Sequence, residues 1–176
     1  MAISFTGLAH AQTVRLSTTA GDIDIELQAS KAPATVANFM AYVNAGFFDG
    51  VIFHRVIETF MIQTGGYTAD LRQKPTRKSI PLESDNGLSN VRGTVAMART
   101  SDPQSATSQF FINVVDNLFL DKPNARDGNG YAVFGQVVAG METVDRIKSS
   151  PTRASGPFAN LPAQPITITK ASIIKP

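Results

Sequence analysis

The sequence predicts a mainly β domain, a closed β-barrel capped by two α-helices. Many short strand-like runs are separated by turn-rich segments, and only two stretches carry helical spacing. The strand-like runs do not alternate with helices, which argues against a doubly wound parallel sheet. Closing the sheet on itself is how such a set of short strands removes its exposed edges.

Thr13-Val14-Arg15-Leu16-Ser17 and Ile23-Asp24-Ile25-Glu26-Leu27 alternate apolar and polar residues, and the turn chemistry of Thr18 to Gly21 joins them as a hairpin. A helix follows with Pro33 in its first turn. Val36, Phe39, Met40 and Val43 form one apolar stripe along it, and Gly46 ends it. Strand-like runs come next at Val51 to Ile57, Met61 to Thr64, Thr94 to Ala98, Phe110 to Val114 and Tyr131 to Val138. A second helix is expected over Met141 to Lys148, with Met141, Val144 and Ile147 on its apolar side. Ser149 to Pro165 reads as a Pro/Gly/Ser/Ala-rich loop. Ile166, Ile168, Ile173 and Ile174 mark a last strand.

The 176 residues suit one domain, residues 13–176, without repeat or linker. With 43% hydrophobic and 17% charged residues, a core is within reach and disorder is not expected. The net charge of +2 is too small for a nucleic-acid footprint, and no apolar run is long enough to span a membrane. The absence of cysteine removes disulfides, thiolate catalysis and cysteine-ligated metals. Residues 1–12 read as a signal-peptide remnant or a disordered N-terminus, because Ala9-His10-Ala11 has the small-x-small form of a cleavage site. The expected compartment is therefore the periplasm, with the cytoplasm as the alternative.

Acid–base equipment is scarce. His10 and His54 are the only histidines, and neither a Gly-x-Ser-x-Gly elbow nor a phosphate loop occurs. Gly128-Asn129-Gly130 leads into a strand and reads as a plain turn. What remains is a set of aromatic and guanidinium residues, which fits binding or a reaction without proton transfer.

Five ordered blocks carry the function: Phe53-His54-Arg55-Val56-Ile57 with Phe60-Met61-Ile62-Gln63, then Gly93 to Arg99, Ser108-Gln109-Phe110-Phe111-Ile112-Asn113, Phe119-Leu120-Asp121, and Tyr131 to Gly135. In this order and spacing the chain, from Thr13 to Pro176, resembles the cyclophilin family of peptidyl-prolyl cis-trans isomerases. Asp85-Asn86-Gly87-Leu88 and Ala98-Arg99-Thr100 resemble its bacterial members. The resemblance implies an eight-stranded antiparallel barrel with a helix at each end and a proline site on its outer wall. It implies Arg55 as the catalytic donor, with Phe60, Met61, Phe111 and Leu120 around the proline ring. Gln63, Gln109 and the backbone of Ala98 and Arg99 are implied along the peptide, with Phe119 and Tyr131 at the rim. No cofactor or metal is implied. The implied partners are proline-containing peptides and folding proteins, met by a monomer.

The chemistry agrees with that assignment. Rotating an X–Pro bond breaks amide resonance against a barrier of roughly 18–20 kcal/mol. The two isomers differ by only about 0.5–1 kcal/mol, so the obstacle is kinetic. A donor aimed at the prolyl nitrogen binds best when that nitrogen is pyramidal, in the twisted state. A non-catalytic binder of proline peptides is the alternative, and Arg55 favours catalysis because binding alone needs no such donor.

Several positions depart from the family pattern. Glu58-Thr59 and Thr64 stand where Pro-Gly and Gly are usual, which bears on the aim of Phe60. Phe119, Tyr131 and Arg99 replace a tryptophan, a histidine and an asparagine. Cyclosporin is expected to bind weakly, because Phe119 lacks the indole N–H that the tryptophan of related eukaryotic proteins donates. Strand parity points Phe110 and Ile112 into the core and Phe111 out of it, and it puts His54 opposite Arg55 in a structural role.

Overall fold

The computed structural model describes residues 11–175, so the expected leader lies almost wholly outside the described residues. In chain order the elements are β1 (Thr13–Thr18), β2 (Gly21–Leu27), α1 (Pro33–Asn44), β3 (Arg55–Ile57), β4 (Met61–Thr64), β5 (Thr94–Met97) and β6 (Phe110–Asn113). A 3₁₀ turn (Leu118–Leu120), β7 (Val133–Ala139), α2 (Met141–Lys148), β8 (Thr152–Ser155), β9 (Phe158–Pro162) and β10 (Ile168–Lys175) complete the set. None of the described helices is long and apolar enough to cross a membrane.

Eight strands form one sheet in the order β10-β1-β2-β7-β5-β6-β4-β3, antiparallel at every pairing. Its inner face and both helices enclose the main core. Val36, Phe39 and Val43 of α1 and Val144 and Ile147 of α2 are buried there. Phe39 lies 5.3 Å from Phe48, 5.3 Å from Phe110 and 5.2 Å from Phe134, in tilted and edge-on contacts. These rings fill the interior. α1 has no capping side chain of its own; Glu83 accepts instead from the N–H groups of Ala34 and Thr35 at 3.0 and 2.8 Å.

Two expectations need correction. The barrel is not closed by a full ladder. Among the described residues its edges meet through a bridge between Ile52 and Thr167, with Gly50 N–H donating to Ile168, Phe53 N–H to Ile166 and Ile168 N–H to Val51 at 2.8, 2.9 and 2.8 Å. The cause is a change of partner: Phe53 still serves the β10 side, but His54 N–H already donates to Gln63 of β4 at 3.1 Å. The run Val51 to Ile57 is therefore broken, and β3 keeps three residues.

The supposed loop Ser149 to Pro165 contains the β8–β9 ribbon. Its strands are mostly exposed, with only Leu161 and Pro162 buried. The apolar alternation that would reveal a half-buried strand is therefore missing.

Candidate active site

The site is built on the outer face of the sheet by strand parity. In β4, β6 and β5 the residues Ile62, Phe110, Ile112, Val95 and Met97 join the main core. Their neighbours Met61, Phe111 and Ala96 point outward and form a second apolar cluster with Leu120 and Val133. The register aligns one row across five strands: Arg55 opposite Gln63, Gln63 opposite Phe111, Phe111 opposite Ala96, and Ala96 opposite Val133. A cation and an amide thus stand at one end of a row whose other members are apolar, with small Ala96 between two larger side chains.

Over this row lies a cavity of about 350 Å³. Arg55, Met61, Gln63 and Phe111 reach it from the strands, Ala98 and Arg99 from the end of β5. Phe60, Phe119, Leu120 and Tyr131 reach it from the loops. Gln109 does not line it. Its amide lies behind Gln63, accepting from Gln63 Nε2 at 2.9 Å, and faces an adjoining depression.

Phe60 is held firmly despite the unusual Glu58-Thr59 turn. Its N–H donates to Ile57 at 2.9 Å, and its carbonyl accepts from Val114 N–H at 3.2 Å and Asn117 Nδ2 at 2.8 Å. Its ring stacks on Phe119 at 5.6 Å, while Tyr131 meets Phe111 edge-on at 5.9 Å.

The two arginines at the cavity differ sharply. The Arg99 side chain is only 2% exposed, and its guanidinium is fully engaged. Nε and Nη2 donate to the Gly130 carbonyl at 3.0 and 2.7 Å, Nη2 also to Asp127 at 2.6 Å, and Nη1 to Thr100 at 3.0 Å, with Tyr131 stacked at 4.5 Å. Arg55 is exposed, and its sole hydrogen bond among the described residues is a long one, 3.5 Å to Gln63 Oε1.

Sequence reasoning missed the support beneath this surface. Asn113 shares the outward parity of Phe111 yet is fully buried, donating to Asn90 Oδ1 and Thr94 Oγ1 at 3.1 and 2.9 Å and accepting from Asn117 at 2.8 Å. Asn90 in turn donates to Asp121 at 2.7 and 2.9 Å, tying down the Leu120 turn. Three asparagines at 90, 113 and 117 were the available signal, but single polar residues in three separate segments show no period.

His54 is buried on the far side of β3 from Arg55, packed against Tyr67 at 4.8 Å and Phe158 at 6.0 Å. Burial, and then the nearby Arg55 charge, push its pKa down to about 4, against the Gln109 side chain, which raises it. It is neutral at pH 7.

An apolar socket on the outer face of the sheet, edged by the Gln63–Gln109 amide pair and the exposed Arg55 guanidinium, has the size and lining to take one apolar side chain. Residues 13–173 match the family described as cyclophilin type peptidyl-prolyl cis-trans isomerase/CLD. The chain is 54% identical over 162 residues to peptidyl-prolyl cis-trans isomerase A of Dickeya dadantii, covering 92% of this chain and 84% of that one. It is 48% identical over 161 residues to isomerase B of Escherichia coli, covering 91% and 98%. A solved cyclophilin type isomerase of Cryptosporidium parvum, obtained in the presence of the dipeptide Ala-Pro, aligns with a TM-score of 0.77 at 27% identity, covering 94% of this chain and all of that one. The chain belongs to the cyclophilin-type peptidyl-prolyl cis-trans isomerases, enzymes that work without a cofactor.

Proposed function

We propose that the prolyl ring is held in the outer cavity between Phe60, Met61, Phe111 and Leu120, and that Arg55 drives the rotation by donating to the prolyl nitrogen. The observation that carries this reading is the contrast between the two arginines. Every nitrogen of the Arg99 guanidinium already donates within the protein, whereas Arg55 presents donors at the lip of the socket with no strong partner of their own among the described residues.

No bond is made or cleaved in this reaction and no proton moves. As the C–N bond twists, resonance is lost and the nitrogen becomes pyramidal, gaining a lone pair that accepts from Arg55. That hydrogen bond is strong in the twisted state and weak in either planar state, which lowers the barrier rather than merely binding the substrate. Gln63, fixed by Gln109, keeps the rest of the fork in place. Socket packing holds the ring still while the acyl side turns.

Arg55→Lys tests the assignment, because it keeps the charge and removes the planar fork. Losing a preorganised donor costs about 10²–10³ in rate. Turnover on an Ala-Pro peptide should fall by that order while peptide affinity stays near wild type, both read by NMR exchange in one sample. Near-wild-type exchange would take Arg55 out of the mechanism and favour a binding module.

A further inference from the structure

The proline cavity does not end at Phe119. Beyond the 3₁₀ turn a second depression of about 490 Å³ opens, sharing Phe119, Leu120 and Tyr131 with the first and bounded on its far side by Ala125, Arg126 and Asp127. A chain leaving the socket over these shared rings passes directly into it.

The charges around it decide what it can hold. The Asp127 carboxylate is occupied, accepting from Arg99 Nη2 at 2.6 Å and from the backbone N–H groups of Asn129 and Gly130 at 2.9 and 3.3 Å. Asp121 turns inward to Ser89 and Asn90, and Lys122 pairs with Asp85 at 2.9 Å. Arg126 is exposed and has no hydrogen-bond or ionic partner among the described residues. The result is an apolar floor with one unanswered guanidinium at its edge.

On the opposite side of the socket, past Gln63 and Ala98, a depression of about 340 Å³ is lined by neutral amides and hydroxyls such as Gln73, Thr76 and Thr107. Among the described residues the sole charged side chain on its wall is the fully engaged Arg99. The two flanks of the site therefore differ in charge.

We propose that the depression beside Arg126 is a subsite for a carboxylate-bearing residue on one flank of the prolyl bond, so that the enzyme favours proline sites with an acidic residue on that flank alone. This rests on the outer cavity being the prolyl site. A solvent-exposed ion pair changes affinity by roughly 2–5-fold and is screened by salt, so Arg126 biases the choice among proline sites without restricting it to one.

The test uses the whole chain and peptides built around Ala-Pro, with Glu, Ala or Lys placed two or three residues before or after the proline. Affinity and exchange are measured by NMR at low and high salt. Glu on one flank should tighten binding about 2–5-fold over Ala, Lys should weaken it, and high salt should erase both effects. Arg126→Ala should abolish the preference and Arg126→Glu should invert it. Equal affinity for the Glu, Ala and Lys peptides, equal gains on both flanks, or a preference that survives Arg126→Glu would overturn the proposal. Those results would leave the prolyl site standing if the all-alanine peptide still exchanged. Failure of wild-type protein to exchange that peptide would instead bring down the reading of the cavity itself.

Discussion

His54 makes the stability of this protein depend on pH in a window where few other groups titrate. The residue is 6% exposed, its Nδ1 has no hydrogen-bond partner among the described residues, and its pKa is pushed down to about 4 from an ordinary 6.5. In the unfolded chain it takes up a proton near pH 6.5, whereas in the folded chain it resists until about pH 4. Between those values the unfolded state binds more protons, so stability is full above about 6.5 and declines as pH falls toward 4. A difference of that size corresponds to about 2–3 kcal/mol lost between pH 7 and pH 4.5, a large part of the roughly 5–15 kcal/mol of a typical domain. The carboxylates held low, Asp24 beside Arg15 and Asp127 beside the Asn129 N–H and Arg99, withdraw their contribution only further into acid. Urea unfolding followed by far-UV circular dichroism at the two pH values measures the difference, a suitable probe for a chain without tryptophan. His54→Gln and His54→Phe should each flatten the decline, whatever they do to stability at pH 7. Wild-type stability that is equal at pH 7 and 4.5, or an undiminished decline in both variants, would refute the argument.

Two further outcomes follow from the packing around the site. A Cβ at Gly66 would lie 2.7 Å from Gln109 Nε2, so Gly66→Ala should displace Gln109, break its 2.9 Å bond to Gln63 and lower kcat more than it alters KM. The same change made on top of Gln109→Ala should add little, and full additivity of the two losses would show that Gly66 acts elsewhere. Phe119 is 57% exposed on the rim, leaving room for an indole, and Phe119→Trp should tighten cyclosporin by about 1–3 kcal/mol. Low-nanomolar inhibition of the wild type would contradict that account.

Strand parity makes the outer face of the site legible in the amino-acid sequence. It separates Phe110 and Ile112 from Phe111, and Met61 and Gln63 from Ile62, because a strand offers its two faces in strict alternation. What stays hidden depends on contacts distant in sequence. Nothing near Pro33 announces that Glu83 caps α1 from 50 residues away. Arg99 is expected to meet a peptide through its backbone alone, but nothing near it in sequence announces that its side chain bends to Gly130 and Asp127, about 30 residues on. The β8–β9 ribbon is hidden for a different reason. Its register is set by pairing across a Gly156 turn, with too little burial to imprint a pattern.

The placement of the socket follows from what the interior could not accommodate. Phe39, Phe48, Phe110 and Phe134 pack against one another inside the sheet. β5 and β6 are buried on both faces, because the loops carrying Leu88, Leu120 and Tyr131 cover their outer side. A floor of that kind can move only by breaking two cores at once, whereas the rim of exposed Phe119 and Arg126 can adjust. Rotation about a prolyl bond needs that division. In the proposed mechanism a stiff floor grips the ring and the donor already points at its nitrogen, since any reorganisation on the way to the twisted state would add to the barrier. The flanking residues, by contrast, vary from client to client and are better met by loops. On that proposal the same division would account for a buried Arg99 beside an exposed Arg55. A guanidinium pinning the Gly130 carbonyl makes the rim beside Tyr131 definite, and in the proposed mechanism the exposed Arg55, held by one long bond to Gln63, is the arginine left to serve the prolyl nitrogen.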